Sequence, residues 1–74
     1  MTDQILAATG SVTSAMQGER ALLAAGITCE VVALDPHQTR RGCAFGIAFP
    51  AERETAARRA LRAAHVTVSE YIKG

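Results

Sequence analysis

The hydrophobic period of the chain changes several times, and each change marks a new element. Residues 5–9, ILAAT, form a short apolar run that stops at Gly10-Ser11. That length suits a strand and is too short for a helix. Over residues 12–25 the apolar positions recur with helical spacing. Ser11 is placed to cap this helix, with Ser14-Ala15-Met16-Gln17 as a competing capping box. Gly26 supplies the stop, where a left-handed residue closes a helix. Residues 27–34, ITCEVVAL, are rich in β-branched side chains and predict a second strand.

Asp35-Pro36 ends that strand, because proline has no N–H to give to a ladder. A loop over residues 35–42 follows. Residues 44–49 then alternate Phe45, Ile47 and Phe49 against Ala44, Gly46 and Ala48, the period of a half-buried strand. Pro50 opens a second helix at a position that tolerates its missing N–H. Over residues 51–64 this helix sets Ala57, Ala60, Leu61 and Ala64 on one stripe, with Arg58, Arg59 and Arg62 off it. Residues 66–72 complete the pattern as a last strand.

The order strand, helix, strand, strand, helix, strand predicts an α+β domain of the ferredoxin-like, split βαβ kind. Its sheet is four-stranded and antiparallel, with two helices on one face. With 74 residues the chain is expected to be a single domain, residues 1–74, with one thin, alanine-rich core. A formal net charge of +1 argues against nucleic acid or an anionic membrane as the main partner. No aromatic RNA-binding strand is present, and no apolar run nears the ~20 residues that span a bilayer. MTDQILAATG has no signal-peptide pattern. With two cysteines, this predicts a cytoplasmic protein holding reduced thiols. No cysteine pair has metal-ligand spacing, so no metal and no cofactor is expected.

The two cysteines read differently. Cys29 lies mid-strand on a face with Ile27, Val31 and Ala33, where a cysteine packs as a small hydrophobe. Cys43 sits where the loop meets the next strand, directly after Arg40, Arg41 and Gly42. Guanidinium charge favours the thiolate, which is the nucleophile, and Gly42 leaves room beside the sulfur. In a hairpin closed by residues 35–42, Leu34 is expected opposite Cys43. That places Cys29 on the order of 17 Å from Cys43, beyond the ~7 Å reach of a disulfide. Glu19 is the remaining oddity, a carboxylate at the centre of the apolar stripe Val12, Ala15, Met16, Leu22 and Leu23. It needs a partner there, either at the core margin or in the loop that carries Cys43. His37 and His65 read as solvated, the latter suiting a helix C-terminus. The arginines of the second helix read as a solvated ridge with Glu54–Arg58 as a supporting pair.

Ala15 and Glu19, then Gly26-Ile27, then Pro36 followed by Gly42-Cys43, together resemble the selenium/sulfur carrier-like family, a small domain long of unknown function. The resemblance spans residues 5–71; Ala44 stands where the family pattern has glycine after the cysteine. It implies a carrier and not an enzyme. Cys43 would hold a chalcogen as a persulfide or selenosulfide, received from a cysteine desulfurase-like donor and passed to an acceptor enzyme. Arg40, Arg41, Gly42 and Glu19 would support it. Two other readings stay open from the residues alone. One is an interaction or regulatory module that forms a homodimer through the small residues of its open sheet face. The other is a thiol redox sensor.

Overall fold

The computed structural model describes residues 3–35, 37 and 44–73. Its elements are β1 (Gln4–Thr9), α1 (Val12–Ala24), β2 (Glu30–Ala33), β3 (Phe45–Pro50), α2 (Glu54–Ala63) and β4 (Glu70–Lys73), with one 3-10 turn at Ala51–Arg53 leading into α2. The strands form one antiparallel sheet in the order β2-β3-β1-β4. The fold is therefore the α+β, ferredoxin-like arrangement expected from the pattern.

Alternation along each strand sorts the side chains onto two faces. Ile5, Ala7, Ile47 and Phe49 point to the helices and form one core with Ala15, Leu22, Ile27, Ala57, Leu61 and Val66. Ala8 and Leu34 anchor a smaller cluster on the other face, joined by Leu6, Val32 and Ile72. Gly46 and Ala48 are buried on this second face, because Leu34 lies over Gly46: a Cβ there would sit 3.0 Å from Leu34 Cδ1. The small residues are thus the floor of that face.

Both helices end the same way. The N–H of Ile27 reaches back to the carbonyl of Leu22 at 2.9 Å, and that of Val66 to Leu61 at 3.0 Å. Gly26 and His65 take the left-handed position between, at φ 78° and 59°. These are matching Schellman closures. His65, exposed just past the helix end as expected, also holds a backbone geometry that favours glycine.

Four expectations are corrected. Strands β2 and β4 are shorter than the β-branched runs suggest, since Ile27 and Val66 close the preceding helices instead of joining the ladder. The stripe on α1 is Ala15, Gly18 and Leu22, whereas Val12, Met16 and Leu23 are 43%, 55% and 55% exposed. At Gly18 the sheet approaches α1 so closely that no side chain fits: a Cβ there would meet Ile47 Cδ1. Leu34 pairs with Ala44, its N–H donating to that carbonyl at 2.7 Å, and not with Cys43. Directly opposed residues share a face. Leu34 belongs with Val32 on the open face, so its partner is an even-numbered residue of the next strand. On α2, Ala57 and Leu61 are buried as expected, while Ala64 is exposed.

Candidate functional site

The segment that carries the candidate site leaves the sheet after Leu34 and returns at Ala44. Pro36, Arg40, Arg41, Gly42 and Cys43 lie outside the described residues. The described residues define the frame from which the segment departs. Asp35 opens it with an Asx turn, its carboxylate accepting the His37 N–H at 2.9 Å. Thr9 secures the sheet at the same end. Its hydroxyl is fully buried and contacts two carbonyls, Ser11 O at 3.1 Å and Phe45 O at 3.4 Å. Ser11 in turn caps α1, its Oγ accepting the Ser14 N–H at 3.1 Å, so the competing box at Ser14 is not used. One buried threonine thereby ties the end of β1, the start of α1 and the start of β3 together beside the base of the segment. In the sequence Thr9 marks only the end of a strand. A threonine closing an alanine run just before Gly-Ser was the signal available.

Cys29 sits at the far end of β2 from that segment. It lines a small hollow with Gln4, Thr28, Glu30, Ala48 and Pro50. It is a half-buried free thiol packed against the core margin, donating to the Glu19 carbonyl at 3.6 Å. Burial pushes its pKa up, and the nearby Glu19 carboxylate pushes it in the same direction. Such a thiol stays protonated and is a poor nucleophile.

Glu19 is half-buried on the flank of α1 and lies against Cys29. Cys29 stands six residues from Asp35, on the order of 20 Å along an extended strand. The described structure therefore joins Glu19 to Cys29 and leaves its relation to Cys43 open to experiment. Among the described residues no group of three or more His, Cys, Asp or Glu side chains is arranged to hold a metal. No described helix is long and apolar enough to cross a membrane.

The arginines lie on the opposite flank. Arg58 Nη2 pairs with Glu54 Oε2 at 2.8 Å, one turn apart, and its guanidinium lies 4.1 Å from the centre of the Tyr71 ring. Glu54 also reaches Lys73 at 3.9 Å. Arg59 and Arg62 line an open hollow with Glu54, Thr55 and Arg58.

Residues 4–73 match the family described as "Putative Se/S carrier protein-like", nearly the whole chain, and the protein belongs to that family. Neither the curated proteins nor the solved structures contain a significant match to the chain.

Proposed function

We propose that the protein carries a sulfur or selenium atom on Cys43 and has no turnover of its own. The observation that carries this reading is the family match over residues 4–73, which takes in the whole segment holding Arg40, Arg41, Gly42 and Cys43. The state of the other cysteine supports it, since burial and Glu19 hold Cys29 protonated.

In the proposed step the Cys43 thiolate attacks the terminal sulfur of a persulfide on a cysteine desulfurase-like donor. A new S–S bond forms to Cys43, the donor's S–S bond breaks, and the donor cysteine leaves as a thiolate. Sulfane sulfur moves without net oxidation, so no external oxidant is required. With selenium the product is the corresponding selenosulfide. Arg40 and Arg41 stabilise first the attacking thiolate and then the anionic terminal chalcogen, and Gly42 keeps the approach open. An acceptor enzyme takes the atom by the reverse exchange. Glu19 is the remaining residue that this reading assigns to the support of Cys43.

The experiment is the pH dependence of Cys43 alkylation. With its cations in place Cys43 should react with a midpoint below the ~8.5 of a free thiol. The shift should shrink in high salt, since exposed charges are screened over roughly 8–10 Å. Arg40→Gln with Arg41→Gln should return the midpoint upward. Glu19→Ala should slow the reaction if Glu19 positions the segment; an unchanged rate removes it from the site. A wild-type midpoint at or above the free value contradicts the activated thiol.

A further inference from the structure

Arginines crowd one face of α2. Thr55, Arg58, Arg59 and Arg62 fall at i, i+3, i+4 and i+7, so one stripe of the helix carries three guanidiniums. Like charges at this spacing repel and weaken a helix. Glu54 offsets one of them: its carboxylate holds Arg58, whose guanidinium also lies over the Tyr71 ring. Among the described residues no carboxylate pairs with Arg59 or Arg62. Three guanidiniums against one carboxylate leave two positive charges uncompensated, in a chain whose whole excess is +1.

These side chains wall two hollows. Thr55, Arg59 and Arg62 line one of about 520 Å³ together with Glu54 and Arg58, and no apolar residue lines it. The other, of about 230 Å³, is lined by Leu61, Val66, Val68 and Tyr71. Arg58 and Arg62 belong to both, so they stand between a polar space and an apolar one. Leu61 and Val66 are buried, and Val68 and Tyr71 half-buried, which fixes the apolar lining in the core margin. Burial raises the Tyr71 pKa and outweighs the lowering by Arg58 and Arg62, so the phenol remains a donor beside them.

We propose that this flank of α2 binds a phosphate monoester with a small apolar body. The phosphate lies among Thr55, Arg59 and Arg62, and the body lies over Leu61, Val66 and Val68. Charge selects the head group. A phosphomonoester near neutral pH carries close to two negative charges, which matches the two uncompensated guanidiniums. Planar guanidiniums hold such an oxyanion by paired hydrogen bonds, and the Thr55 hydroxyl adds a further donor. Size and lining select the body. An apolar cavity of about 150 Å³ takes up benzene, so the 230 Å³ hollow has room for one ring. A lipid surface is disfavoured, since the exposed large apolar side chains Val12, Met16 and Leu23 lie on α1 and not beside these arginines. A nucleic-acid strand calls for more phosphate contacts than one stripe of three arginines supplies. The site stands apart from Cys43 and does not depend on the chalcogen chemistry.

The test is an NMR titration of the isotope-labelled full chain at fixed ionic strength, read at backbone amides and arginine side chains. The probes are phenyl phosphate, inorganic phosphate, phenyl sulfate and a hexaglutamate peptide, each added separately. Phenyl phosphate should shift residues 55–62, Val68 and Tyr71 saturably, and bind about tenfold more tightly than inorganic phosphate, the gain from covering a ring. Phenyl sulfate, of the same shape with one charge fewer, should bind several-fold more weakly than phenyl phosphate. Arg59→Gln with Arg62→Gln, both at exposed positions, should abolish saturation, with the melting temperature unchanged or raised because repulsion is removed. Val68→Ser should erase the preference for phenyl phosphate over inorganic phosphate while the head-group shifts persist. Shifts that rise without saturating overturn the proposal and leave the arginines as a solvated ridge. Equal affinity for phenyl phosphate and inorganic phosphate, or a preference that survives Val68→Ser, overturns it as well. So does hexaglutamate binding tighter than phenyl phosphate, which would assign the face to an acidic protein.

Discussion

The two helices of this small domain meet the sheet in opposite ways. On the α2 side the division between buried and solvated positions is sharp. Ala57 and Leu61 face the core, and Arg58, Arg59 and Arg62 face water, with Arg58 held between Glu54 and Tyr71. On the α1 side Ala15, Gly18 and Leu22 face the core, and three large apolar residues face out. The difference shows that hydrophobicity alone does not rank positions for burial. Where a helix lies close on a sheet, the size that fits decides, and the excess apolar side chains are displaced to a flank. The α2 flank presents charged side chains to solvent, whereas the α1 flank leaves Val12, Met16 and Leu23 exposed.

Truncation of the two central leucines should give the largest effect and should be equal on both sides. Leu22→Ala and Leu61→Ala remove fully buried side chains and should each cost about 3 kcal/mol in denaturant unfolding. A loss of under ~1 kcal/mol at Leu22 would show that α1 is not packed as tightly as its small residues imply. Gly18→Val sharpens the contrast by forcing bulk into the closest contact, where Ile47, Leu61 and Val66 surround the added atoms. It should cost about 2–3 kcal/mol, against less than ~0.5 for Met16→Val on the exposed flank.

The helix ends allow a matched pair of opposite sign. Gly26→Ala forces a side chain into a left-handed position and should lose about 1 kcal/mol, while His65→Gly should gain about the same by thermal melting. A destabilised His65→Gly variant would show that the imidazole contributes more than its backbone costs.

The smallest effect expected is on pH dependence. The folded Cys29 thiol holds its proton more tightly than the unfolded one. Its contribution is therefore complete below the ordinary thiol range and declines as pH rises past that range toward the folded value. Cys29→Ala should flatten the loss of stability above about pH 8.5, and the difference between the two curves isolates this group.

Much of the architecture was legible because Gly26 stops the first helix, Asp35-Pro36 ends the second strand and Pro50 precedes the second helix. Gly26 and Pro50 divide the chain where the structure divides it. The ends of β2 and β4 were misjudged because Ile27 and Val66 have strand-like side chains but spend their N–H groups on closing helices. The α1 stripe was misjudged because Gly18 adds nothing to a hydrophobic count, although its absent side chain allows the closest helix–sheet contact. That error also moved Glu19 to the centre of a stripe, when it lies half-buried on the flank of α1. The hairpin was one residue out of register, an error that face alternation alone would have corrected: Leu34 and Phe45 belong to opposite faces. Of the candidate site, the base was partly legible in Asp35, whereas Thr9 was not, because a single hydroxyl bridging distant carbonyls leaves no periodic trace.

The central claim is that Cys43 holds the chalcogen. Its most direct test is intact-mass analysis after incubation with a cysteine desulfurase and cysteine, or with a selenocysteine-derived selenium source. The wild-type chain and Cys29→Ser should each gain one sulfur or one selenium atom, released by mild reductant and mapped to the peptide containing Cys43. Cys43→Ser should gain none. Loading that survives Cys43→Ser, or that is absent from the wild type while the donor remains charged, would contradict the account.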